Sequence, residues 1–131
     1  MDYQLHDSQI NGFVFDKNTI IANFSKGFWK TDENGKQFEQ MKNCKMAFEI
    51  DGNGRPVGDL ISVRISKKGG LYKIISLKKF VDLLKKSPFD IDMEYDCNFA
   101  NSKMWQTYSN QLRIRAEIFI EEIKKVEYLH E

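Results

Sequence analysis

Two histidines, two cysteines and nineteen carboxylates are the first groups to weigh for chemistry in this chain of 131 residues. Histidine titrates near neutrality and is the commonest general base. His6 stands in Leu5-His6-Asp7-Ser8, just before a predicted strand, and His130 is one residue from the end of the chain, where ends fray. His-Asp-Ser in direct succession is not a catalytic triad, because adjacent side chains splay apart and triads are assembled by folding. The structural reading gives Asp7 or Ser8 to free backbone amides and His6 to a strand edge. The functional reading sets His6 and Asp7 on a pocket rim, as an acid–base pair or metal ligands.

Metal and cofactor motifs fail on spacing. Asp51, Asn53 and Asp59 glance at a calcium loop, but Arg55 takes the third ligand position, Pro56 replaces the glycine and Ser62 stands where the bidentate Glu belongs. Cys44 and Cys97 have no zinc-spaced companions and fall on the apolar faces of predicted strands, as buried, reduced thiols. No phosphate-binding glycine loop or nucleophile elbow occurs, so no catalytic residue, metal or cofactor is expected.

Composition narrows the class further. Hydrophobic residues at 41% and charged residues at 30% describe a globular chain, and 131 residues suit one domain spanning 1–131. No apolar run approaches the ~20 residues of a membrane-spanning helix. Met1-Asp2-Tyr3-Gln4 lacks the basic and then apolar segments of a secretory signal, so a cytoplasmic location is expected. Net charge is only +1, yet eight basic residues and one acidic fall within 60–86. A single arginine contributes to that block, without a recognition helix or an aromatic groove, so it is read as a solvated lysine face rather than a nucleic-acid site.

Hydrophobic periodicity predicts the elements that must position these groups. Ile10–Asp16 and Thr19–Phe24 flank a Lys17-Asn18 turn as a hairpin, and Asn34-Gly35 marks the next tight turn. Cys44–Ile50 alternates with Cys44, Met46, Phe48 and Ile50 on one face; Leu60–Ser66 alternates again, with Leu71–Ile75 as its hairpin partner. Ser76 caps a helix over Leu77–Lys86 that Ser87-Pro88 ends, with Leu77, Phe80, Val81 and Leu84 on one side and the lysines opposite. Phe89–Phe99 sorts Phe89, Ile91, Met93, Tyr95, Cys97 and Phe99 to one face and Asp90, Asp92, Glu94, Asp96 and Asn98 to the other. Ala100–Gln111 reads as a polar connection. Leu112–Ile120 follows as a strand, then a bend at Glu122-Ile123 and a last strand through Val126 and Tyr128; over Ala116–Leu129 a helix competes with this reading, although β-branched residues favour strand. The expected class is α+β, mainly antiparallel β: one curved sheet or sandwich of seven or eight strands with a single helix.

Two surface features follow. Asp90, Asp92, Glu94 and Asp96 form an acidic rail suited to a basic partner, unless Arg113 and Arg115 neutralise it across a strand pair. Trp29, Trp105 and Tyr108 lie outside the alternating strands, as interface anchors or as lids over the core.

The opening Leu5-His6-Asp7-Ser8-Gln9-Ile10, running into Gly12–Asp16 and Thr19–Phe24, resembles the start of several small bacterial domains of unknown function. Some of these resemble, or are encoded beside, polymorphic-toxin immunity proteins. Over about twenty residues that resemblance implies an immunity protein, acting by covering a toxin's active site. The expectation is therefore a non-enzymatic binding domain whose partner is a protein toxin and whose contact surface is Asp90, Asp92, Glu94, Asp96, Trp105 and Tyr108. The alternative is a small ligand-binding module or enzyme with His6 and Asp7 at the pocket mouth.

Overall fold

Alternation in the sequence turns into paired strands almost wherever it is long enough. The computed structural model describes residues 2–5, 8–34, 36–40, 43–51, 54–67, 69–97 and 101–129. Among them run β1 (Asp2–Gln4), β2 (Gln9–Ile10), β3 (Gly12–Asp16), β4 (Thr19–Phe24), β5 (Trp29–Thr31), β6 (Gln37–Gln40) and β7 (Cys44–Ile50). A 3-10 turn, Val57–Leu60, leads into β8 (Ile61–Lys67) and β9 (Lys73–Ile75). The helix α1 (Leu77–Lys86) and strands β10 (Phe89–Cys97), β11 (Ser102–Ser109), β12 (Ile114–Ile120) and β13 (Ile123–Leu129) complete the order. The class is mainly antiparallel β with one helix, as expected. Among the described residues thirteen strands stand where about seven or eight were expected, because pieces of two to four residues such as β1, β2, β5 and β6 are too short to show a period.

The strands form a six-stranded sheet in the order β2-β10-β11-β12-β8-β9, a four-stranded sheet β13-β7-β4-β3 and a three-stranded sheet β1-β5-β6. The two larger sheets pack inner face to inner face, with Trp105 of one edge-on against Phe24 and Phe48 of the other. Ile20, Ala22, Met46, Val63 and Ile118 fill the layer between them and are fully buried. At two corners the chain leaves one large sheet for the other. At the first, Asn11 donates its backbone N–H to Asn23 and accepts from the Ser25 N–H through its side chain. At the second, Glu122 adopts φ 56 and accepts from the Asp51 N–H, so the predicted bend falls at Glu122 and the last segment is strand, not helix.

The helix matches its predicted bounds. Ser76 Oγ accepts from the Lys79 backbone N–H at 3.2 Å, and the lysines Lys78, Lys79, Lys85 and Lys86 stay exposed. Phe80 packs against Phe13 and Phe89, closing one end of the sandwich.

Four expectations are corrected. The supposed connection Ala100–Gln111 contains β11, an interior strand of the six-stranded sheet. Its inward residues include Thr107 and Ser109, whose hydroxyls are satisfied inside the fold: Thr107 donates to the Ala116 carbonyl at 2.9 Å and Ser109 to Ser87 Oγ at 3.2 Å. Polar inward positions hid the strand. Because β11 lies between β10 and β12, Arg113 and Arg115 do not face the acidic residues of β10. Only Lys73–Ile75 of Leu71–Ile75 pairs with β8, and Leu71 is 95% exposed. Cys44 is buried as expected, whereas Cys97 is only half-buried.

Candidate functional site

The acidic strand is extended, but it does not keep one face. Ile91 pairs with Thr107 and Met93, not Asp92, pairs with Gln106. Asp92 is therefore an extra residue, a β-bulge, and a single extra residue exchanges the two faces of everything that follows. Before the bulge, Phe89 and Ile91 point into the core. After it, Met93 and Tyr95 turn outward, 45% and 39% exposed, while Glu94 takes the inner side half-buried and Asp96, on the same side by register, keeps its carboxylate 75% exposed near the strand end. The expectation of apolar residues inward and carboxylates outward along the whole strand fails at Met93, Glu94 and Tyr95. Asn98 and Phe99 lie outside the described residues.

The inward carboxylates are paired. Glu94 stands opposite Trp105 and accepts its indole N–H at 2.6 Å. Asp96 stands opposite Lys103, whose ammonium lies 2.6 Å from Asp96 and 3.6 Å from Glu94. Trp105 is 1% exposed, so it is a core residue, not a contact residue. A buried indole N–H needs an acceptor, and a half-buried carboxylate needs a cation or donors. Trp105, Glu94, Lys103 and Asp96 meet each other's requirement.

This cluster carries a pH dependence. Burial by itself would lower the Lys103 pKa, but the hydrogen bond to Asp96 and the charge of Glu94 outweigh it and hold it above the ordinary lysine value. A lysine raised on folding contributes its stability in full below the unfolded pKa of ~10.4 and loses it as pH climbs through the raised folded value. The stability lost in Lys103→Met is therefore expected to be constant from about pH 7 to 10 and to shrink above that. Urea denaturation of both proteins at about pH 8 and pH 11 reads it, and an equal loss at both would count against the pairing.

The outer face of the six-stranded sheet follows from register, since residues directly opposite share a face. One row is Tyr95–Met104–Phe119, and beside it Met93 and Gln106 neighbour Glu117 and Arg64. Arg64 is ion-paired to Glu117. The next row is Asp90–Tyr108–Arg115, with the Arg115 guanidinium 5.8 Å from the Tyr108 ring centre. Asp90, Asp92 and Tyr108 line a cavity of about 320 Å³ on this face.

The six expected contact residues thus divide. Asp90 and Tyr108 share the outer face, Asp92 sits in the bulge, and Glu94, Asp96 and Trp105 belong to the inner cluster. His6 and Asp7, the alternative pocket pair, lie outside the described residues. Trp29 begins a short strand, half-buried. Met93, Tyr95, Met104 and Phe119 went unnoticed as surface residues. Reading Ser102–Ser109 as a strand would have placed Met104 outward opposite Trp105's side, but nothing in Ile91-Asp92-Met93 announces the bulge.

What these sheets define is a two-layer antiparallel β domain with one exposed, partly aromatic sheet face. No family model, curated protein or solved structure matches this chain. Among the described residues, no helix is long and apolar enough to cross a membrane.

Proposed function

We propose that this chain is a protein-binding domain, non-enzymatic as its motifs suggest, that docks its partner on the outer face of the six-stranded sheet. One observation carries the proposal: the bulge at Asp92 presents Met93 and Tyr95 beside Met104 and Phe119 on a rigid, hydrogen-bonded sheet. Tyrosine, phenylalanine and methionine are the residue types enriched at interface centres, and a sheet holds them with little ordering entropy left to lose. The Arg64–Glu117 pair and Gln106 supply a polar border. The resemblance of the opening residues supports a protein toxin as the partner class, with this chain as its immunity protein in the bacterial cytoplasm. Contact moves from the acidic rail to the apolar row, with Asp90 and Tyr108 at its margin.

The test offers the protein products of neighbouring genes to three immobilised baits: the wild-type chain, the double variant Tyr95→Ser/Phe119→Ser, and Val14→Ser on the other sheet. Retention by the wild type and Val14→Ser, with at least ~30-fold weaker retention by the double variant, is the expected result. Equal retention by all three, or no retained product, overturns the proposal. Circular dichroism of the variants confirms that each is folded.

A further inference from the structure

A second feature of the outer face stands apart from the apolar row. The cavity of about 320 Å³ adjoins another of about 500 Å³, and both are lined by Tyr72, Tyr108 and Arg115. Together they make one trough. Residues of β10, β11 and β12 line its floor, and Gly69, Gly70 and Tyr72 line it from the β8 side. Arg113 lines the larger end; Asp90 and Asp92 line the other.

The arginines at the larger end are arranged but not neutralised. Arg64 has Glu117, and Arg55 lies 4.0 Å from Glu121. Among the described residues neither Arg113 nor Arg115 has a carboxylate partner. Arg115 lies over the Tyr108 ring, which orients a guanidinium without using its in-plane donors. Arg113 sits at φ 56, closing the turn between β11 and β12. That turn is tied down by the Arg113 N–H donating to the Ser109 carbonyl at 2.8 Å and the Leu112 N–H donating to Ser109 Oγ at 3.1 Å. A left-handed, non-glycine residue held by such bonds fixes where its side chain starts.

We infer that this trough binds a small planar ligand carrying a phosphate, of the nucleoside monophosphate type. The phosphate would accept from Arg113 and Arg115, whose donor geometry fits its oxygens in pairs. The planar body would lie against Tyr72 and Tyr108, each of which carries an arginine over its ring, Arg64 at 5.9 Å and Arg115 at 5.8 Å from the ring centre. Asp90 repels the anionic end and accepts from donors on the body, which sets the ligand's direction in the trough. Both cavities fall at the size of small-molecule sites, which run ~300–1,000 Å³. The trough shares Asp90 and Tyr108 with the margin of the docking patch, but binding in it needs no protein partner.

The experiment titrates the isolated chain with adenosine monophosphate, adenosine and inorganic phosphate, followed by amide and arginine side-chain NMR resonances. Adenosine monophosphate is expected to shift the signals of Tyr72, Tyr108, Arg113 and Arg115 with a Kd of ~0.1–1 mM, and each half-ligand to bind at least ~10-fold more weakly. Arg115→Gln is expected to weaken binding about tenfold while leaving the dispersed spectrum intact. Unmoved signals at ~10 mM adenosine monophosphate, or equal affinity in Arg113→Gln/Arg115→Gln, would overturn the inference. So would binding of inorganic phosphate as tight as that of the nucleotide, since the tyrosines would then contribute nothing. Either failure leaves the partner-capture experiment to stand or fall by itself.

Discussion

Trp105→Ala is expected to destabilise the fold by about 3–5 kcal/mol, a large part of the ~5–15 kcal/mol that holds a domain of this size together. The indole is 1% exposed and bridges the two large sheets, with ring centres 6.0 Å from Phe24 and 5.6 Å from Phe48, both edge-on. Truncation would leave a cavity between layers that cannot collapse, because each layer is held by its own strand ladder. It would also strand Glu94, which loses its 2.6 Å donor and keeps only Lys103. Glu94→Ala is the informative companion: it retains the ring but orphans the buried N–H, at a cost of about 1–3 kcal/mol. The two costs are expected not to add, since they share one hydrogen bond, and a double-mutant cycle in urea measures the coupling. A loss below about 1.5 kcal/mol for Trp105→Ala would mean the sheets do not meet on this residue.

Phe80→Ala is expected to cost a comparable amount, about 3–5 kcal/mol, for a different reason. A helix of ten residues is too short to persist in water by itself, so its packing must hold it. Phe80 is fully buried, 5.2 Å from Phe89 and 6.3 Å from Phe13, and so ties the helix to both large sheets at once. The exposed lysines of the same helix supply a contrast: alanine at Lys78 or Lys85 is expected to change stability by no more than ~0.5 kcal/mol. Hydrogen exchange would separate the two cases. In Phe80→Ala the amides from Phe80 to Leu84 should lose protection before those of the central strands. Uniform loss would instead make the helix part of one cooperative unit with the sheets.

Both effects concern residues whose roles were legible to different degrees. Phe80 was readable as core, because helical spacing groups it with Leu77, Val81 and Leu84 and sets the lysines opposite. Trp105 was not. It stands among Ser102, Lys103, Gln106, Thr107 and Ser109, a composition that reads as loop, and only the pairing of β11 between β10 and β12 shows that its polar neighbours are satisfied from within. Asp90 falls on the outer face that strand alternation gave it and Tyr108 joins it there through β11, while Glu94 and Asp96 were assigned to the same face on a parity that a bulge then reversed.

Local pattern alone determined the antiparallel β character, the helix from Leu77 to Lys86 with its Ser76 cap, the hairpin at Lys17-Asn18 and the inward faces of Cys44–Ile50 and Ile61–Ile65. Each depends on side chains a few residues apart, and the period of a helix or strand is written in that spacing. Tertiary structure decided the rest: that there are two large sheets, that β11 is interior, and that Met93, Tyr95, Met104 and Phe119 share an exposed face. Those outcomes depend on which strands pair and in what register. One unpaired residue, Asp92, reverses the faces beyond it, and its position is set by the partner strand rather than by its neighbours in the chain.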